Sequence, residues 1–249
     1  MPLPQVHGPL TQQKGGAMAV TTAPDRSGHT AHHDRPIMIA VLIAVLAVVA
    51  IAIALLVYGN SGAAVTQTRT VAGFTSLDLA GRNNVTIIVG RPQSVVVRAD
   101  SNLINHVTTQ VVSGTLVIAD TGSFTARGPM SVDVSVPSLT ALSLSGSGQI
   151  SATGISTPQL TVTISGSGLV SAAGTATRLD VTINGDGKAQ LSQLTARDVH
   201  AVVSGSGLIQ VTATTSLDAA VPGSGTIIYS GNPPRVTTSV TGSGTVTRG

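Results

Sequence analysis

The chain has no cysteine and no tryptophan among its 249 residues, and only two phenylalanines and two tyrosines. Without cysteine there is no disulfide framework, no thiolate metal site and no lipid-modified cysteine. With aromatics at 2%, an aromatic-rich core is excluded, as is the stacking surface that nucleic acid favours. Glutamate is absent too, every acid being aspartate, and lysine occurs only at Lys14 and Lys188. Charged residues make up 9% of the chain, with 13 bases against 10 acids for a net charge of +3. That supply is too thin for a busy acid–base active site. What is plentiful is apolar or conformationally permissive, with 42% hydrophobic residues, 28 glycines and 12 prolines.

Composition divides the chain into four stretches. Residues 1–36 scatter Pro2, Pro4, Pro9, Pro24 and Pro36 among polar residues with little to bury, and are expected to be a disordered cytoplasmic tail. Residues 37–57 are drawn only from Ile, Met, Ala, Val and Leu. At about 1.5 Å per residue a helix of this length crosses the hydrocarbon layer. The run exceeds the roughly 7–15 residues of a signal-peptide core, so a retained anchor is expected. Arg26 and Arg35 precede it and Arg69 follows, a slight excess on the amino side that places the amino terminus inside. Residues 58–70 read as a linker and 71–249 as an extracytoplasmic domain.

From about Leu139 the chain repeats. Gly-Ser-Gly stands at 146–148, 166–168, 205–207, 223–225 and 242–244, with Gly-Asp-Gly at 185–187. Two and four positions before each first glycine stand Leu144 and Leu142, Ile164 and Val162, Ile183 and Val181, Val203 and Ala201, Val221 and Ala219, then Val240 and Thr238. Two positions after each second glycine stand Ile150, Val170, Ala189, Ile209, Ile227 and Val246. Intervening residues are mostly polar. Period-two alternation on both sides of a glycine turn reads as strand, turn, strand. Recurrence at a near-constant period points to stacked coils of about 20 residues, since each coil must bury its apolar positions on the next. An antiparallel sandwich is the rival arrangement. Each coil is expected to hold two short strands, a tight glycine corner using positive φ and close backbone approach, and a looser corner near Gly154, Gly174 or Pro233-Pro234. In 71–137, Leu77-Asp78-Leu79-Ala80-Gly81 looks like the Leu179-Asp180-Val181 approach to a corner, and roughly three irregular coils are expected before Gly146.

The opening Val71-Ala72-Gly73-Phe74-Thr75-Ser76-Leu77-Asp78-Leu79 and the serial Gly-Ser-Gly corners between alternating Val, Ile and Leu resemble the bacterial putative auto-transporter adhesin, head GIN domain family. The resemblance covers about Val71 to Gly249. It implies an all-β, right-handed β-helix or solenoid similar in shape to pectin-lyase-like proteins but without their catalytic residues, and an adhesive role. The chain departs from an auto-transporter in its amino-terminal apolar run and in lacking any outer-membrane barrel pattern.

Candidate sites are few. Asp180, Asp186, Lys188, Arg197 and Asp198 lie around one coil and form the best cluster for carboxylate or calcium chemistry. Asp180 also has a structural reading, because Asp78 and Asp218 occupy similar Leu-Asp contexts on an outward face. Asp186 replaces a turn serine, where aspartate is locally favoured. His29, His32, His33 and Asp34 have ligand-like spacing in a tail that pre-organises nothing. His106 and His200 read as solitary and solvent-facing. Thr161 and Thr163 suggest a water-ordering face, but Asp180 and His200 break the row. Gly-Ser-Gly lacks the following helix and lysine of a phosphate loop. No catalytic, cofactor or metal residue is therefore assigned.

The expected function is a membrane-anchored, surface-displayed, non-enzymatic module that adheres or binds through the outer face of its solenoid. The alternative is a structural, self-assembling cell-envelope protein without a specific ligand. Expected partners are the lipid bilayer through Ile37–Val57 and a surface, glycan or protein ligand, with a homo-oligomer as a further candidate and no nucleic acid.

Overall fold

The protein's structure is a computed structural model that describes residues 63–122 and 130–249. The span expected at Ile37–Val57 and the tract His29, His32, His33 and Asp34 lie outside these residues. Among the described residues no helix is long and apolar enough to cross a membrane. They form β1 (Ala64–Thr68), β2 (Ser76–Leu79), β3 (Asn84–Val89), β4 (Ser94–Asp100), β5 (Val107–Val112), β6 (Thr115–Asp120), β7 (Ser131–Val136), β8 (Ala141–Leu144), β9 (Gln149–Ile164), β10 (Leu169–Ile183), β11 (Lys188–Val203), β12 (Leu208–Val221), β13 (Thr226–Ser230), β14 (Arg235–Val240) and β15 (Thr245–Arg248), with one 3-10 turn at Ile104–His106.

From β8 onward each coil lies parallel on the one before, as in a β-solenoid and unlike a sandwich. Val162, Val181, Ala201 and Ala219 fall in one register row, and Leu160, Leu179, Val199 and Leu217 in another. Across the tight corner Ile150, Val170, Ala189, Ile209 and Ile227 form the facing row. All of these side chains are buried. Each Leu, Ile or Val so buried contributes about 1.5–3 kcal/mol, so the inward rows drive the stacking. The β-branched residues expected there suit the pleat.

Two expectations about the corners need correction. In the central coils the strands are not two short pieces, although at Pro233-Pro234 β13 and β14 are separate short strands as expected. β9, β10, β11 and β12 are 16, 15, 16 and 14 residues long and bend through the looser corner without ending. Register shifts between Ala172 and Gly174 and between Leu191 and Thr195 mark the bends. Positive φ is found there, at Gly154 (77°), Gly174 (140°) and Gly231 (93°), and not at the Gly-Ser-Gly corners.

The tight-corner glycines are required instead by close approach. The rung-to-rung ladder continues through the corner: Leu169 N donates to Gly148 O at 3.1 Å, Lys188 N to Gly168 O at 2.9 Å, Leu208 N to Gly187 O at 3.1 Å and Thr226 N to Gly207 O at 2.9 Å. Backbones held this closely leave no room for a side chain. A Cβ on Gly166 would overlap the carbonyl oxygen of Gly146, and one on Gly185 would stand 2.6 Å from Gly166 O. On Gly168 it would also meet Leu144 Cδ2 at 2.6 Å.

The amino-terminal part differs most from expectation. Instead of three irregular coils in series there are two, stacked out of chain order and covered by antiparallel strands. β2 pairs in parallel with both β6 and β8, and β3 with both β7 and β9. The coil β2–β3 is thus laid down first yet sits between β6–β7 and β8–β9. β5 then pairs antiparallel with β6, β4 with β7, and β1 with β4. Part of the stretch expected to be a linker is therefore β1. Buried Val95, Val97, Leu103, Ile104 and Val107 close this end of the core. The register also moves Leu77 into the row of Leu142, Val162 and Val181, two positions from the expected match with Leu179.

At the β2–β3 corner the sequence is Gly81-Arg82-Asn83, with Asn83 in place of the second glycine. Asn83 is fully buried, and its Nδ2 donates to Asp120 Oδ1 at 2.5 Å, while Arg82 N donates to Asp120 Oδ2 at 2.9 Å. Asparagine is accommodated because the coil on that side presents the end of β6, with Asp120, and no glycine corner.

Replacing both Gly166 and Gly168 with valine should lower stability by more than about 2 kcal/mol in denaturant melts, through overpacking against the coil below. Ser167→Asn, at an exposed corner tip, should change it little. Asp120→Ala should cost about 1–3 kcal/mol by the same measurement, since it strands the buried Asn83 amide. An unchanged midpoint would show that Asp120 does not hold the corner.

Candidate binding face

Stacking in register turns outward side chains into straight rows, one residue per coil and about 4.8 Å apart. On the strand segment between the looser and tight corners, Gln159, Arg178, Asp198, Ser216 and Arg235 form one row. Thr161, Asp180, His200, Asp218 and Thr237 form the next. The two rows are cross-linked by Gln159 Nε2, which donates to Asp180 Oδ2 at 3.0 Å, and by Arg178, whose Nη2 lies 2.9 Å from Asp180 Oδ1. Along the rows, Ser216 Oγ donates to Asp198 Oδ1 at 2.5 Å and His200 Nδ1 lies 3.2 Å from Asp218 Oδ2. The hydrogen bond that Arg178 donates to Asp180, the charge of Asp180 and then that of Asp198 hold the Arg178 guanidinium above its already high ordinary pKa, so it stays a cation.

A second outward row, Ser156, Thr175, Thr195 and Thr212, follows the looser corners. Ser156, Thr175 and Thr195 of this row, with Thr177, Arg197 and Thr214, line an open groove of about 450 Å³. A smaller recess of about 200 Å³ runs beside Ser151, Ser171, Gln190 and Gln210. The groove is lined mainly by hydroxyls with Arg197, the recess by hydroxyls and amides, and neither contains an aromatic platform.

The cluster expected at Asp180, Asp186, Lys188, Arg197 and Asp198 does not come together as one site. Asp180 and Asp198 meet around Arg178, which sequence reasoning missed. Asp186 sits at an exposed tight-corner tip with Lys188 just beyond it, and Arg197 opens onto the groove. Asp78 is not equivalent to Asp180 and Asp218. It falls in the row of Ser143 and Thr182, and accepts from Ser145 Oγ at 3.4 Å. His106 is half-buried, its Nδ1 2.7 Å from Thr121 O at the end of β6, so it secures the cap and does not simply face solvent. Among the described residues no three His, Cys, Asp or Glu side chains group as a metal site.

The hydroxyl row was hidden by the looser corners. Ser156 and Thr175 stand 10 and 9 residues after Gly146 and Gly166, but Thr212 stands only 7 after Gly205. Alignment on the glycines therefore scatters residues that the bulged bends bring back into line.

Comparison with known proteins agrees with this architecture. No curated protein matches the chain. A putative adhesin from Bacteroides fragilis is similar in fold, with 24% identity over 74% of this chain and 96% of that one and a TM-score of 0.61. A putative lipid binding protein from Parabacteroides distasonis shares 20% identity over 76% of this chain and 98% of its own, with a TM-score of 0.50. The family described as "Putative auto-transporter adhesin, head GIN domain" matches residues 73–233. With its stacked glycine-cornered coils and more than half its length matched, the chain belongs to the putative auto-transporter adhesin, head GIN domain family.

Proposed function

We propose that the protein is a membrane-anchored, surface-displayed adhesion module that binds through the outer face of its solenoid and carries out no chemistry. The observation that supports this reading most is the groove at the looser corners, where the hydroxyls of Ser156, Thr175, Thr195 and Thr214, one on each of four successive coils, stand beside Arg197. A regular hydroxyl row offers a polar polymer one weak contact per coil, and Arg197 adds a fixed cation. Such contacts are individually small and gain affinity by repetition along the stack and among copies on a surface. Anchoring by Ile37–Val57, with the domain outside, would present that face to a neighbouring cell or matrix. Membership of an adhesin family is consistent with the reading.

Cells producing the full chain should retain at least one member of a panel of labelled glycans, matrix proteins and cell-wall fractions. Retention should vanish after protease shaving of intact cells, and should fall when Arg197→Asp and Thr195→Val are combined. Retention of no member, or retention indifferent to both treatments, would sink the proposal.

A further inference from the structure

The two ends of the solenoid are finished differently. At the amino end β5 and β4 lie antiparallel across β6 and β7. At the other end, among the described residues, β14 pairs only with β12 and β15 only with β13, so the outer edge of both strands is unpaired there. The inward residues of β14 remain uncovered: Val236, over buried Leu217, and Val240, over buried Val221, are each 42% exposed. Thr238, over Ala219, lies between them. Devices that usually blunt an edge are sparse, since β14 carries one charge, Arg235 at its first position. Arg248 of β15 is turned back, its Nη2 donating to Gly231 O at 2.9 Å.

We infer that this edge is the contact between two copies of the chain, related by a two-fold axis through Thr238. The amino end also leaves edge strands, β5 and β1, but each pairs antiparallel with the strand it covers, so a head-to-tail contact there would not continue the parallel stack. Edge against identical edge is favoured instead, because the β14 sequence is self-complementary for it. In an antiparallel pair centred on Thr238, Val236 faces Val240 of the second copy, Thr237 faces Ser239, and Thr238 faces its own counterpart. This register keeps inward residues opposite inward residues, which a shift by one would not. It closes the exposed valines over one another, and it sets Thr against Thr and Thr against Ser, pairs that favour cross-strand contact. Arg235 falls opposite Thr241, so like charges do not meet. The contact is isologous and therefore stops at two. It does not depend on any ligand of the outer face.

The chain has no cysteine, which makes the axis directly testable. In full-length protein in detergent micelles, Thr238→Cys should give a disulfide-linked dimer on mild oxidation. Thr163→Cys, outward-facing on a central coil, should not. The unoxidised parent should have twice the chain mass by light scattering. Val236→Lys or Val240→Lys, each at an exposed position, should return the mass to that of one chain and abolish the Thr238→Cys cross-link. A parent of single-chain mass, absence of the cross-link at Thr238→Cys, or a dimer indifferent to both lysine variants would overturn the inference.

Discussion

The backbone ladder does not stop at the corner, and most of the structure follows from that. In many folds a turn releases the chain from its neighbour. Here the amide after each Gly-Ser-Gly continues to bond to the coil below, so consecutive corners sit at the spacing of paired strands. At that spacing a side chain on either glycine would collide with a carbonyl oxygen or an inward Leu, Ile or Val. The tip residue points outward and is free to be serine or aspartate. A repeat written as Gly-X-Gly every 18 to 20 residues is thus the trace of stacking, and conformational freedom at the corner is secondary.

Much of this was legible because the repeat is written with residues whose roles are steric. Alternation identified the inward rows, and residues such as Ile164, Ile183 and Val203 all lie in the core. The amino-terminal coils were not legible, for a physical reason. A solenoid's contacts are between spatial neighbours, and nothing local in β2 records whether β6 or β8 will lie on either side of it. Asn83 and Asp120 are the visible mark of the inversion. The side chain of one coil replaces the carbonyl that a glycine corner would have offered, but without the partner's position neither residue announces that role. The groove was obscured differently, since the looser corners tolerate an extra or missing residue and shift the spacing that an alignment relies on.

Polar cross-links such as Arg178 with Asp180 organise the surface without holding the fold, which the apolar rows already secure. Exposed ion pairs of this kind contribute little to stability in water. Their effect is local: they hold Gln159 and Arg178 against Asp180 on the outer face. A module of this construction can vary its outward residues almost freely while the inward rows and corner glycines stay put. That is a suitable property for a family whose shared feature is a scaffold.

The most direct test of the corner ladder is amide hydrogen exchange resolved by residue. The amides of Leu169, Lys188, Leu208 and Thr226 should exchange as slowly as those of the strand interiors, although they flank exposed turns. Exchange at the rate of an ordinary solvated turn would show that the coils are not bonded through their corners, and would contradict the account.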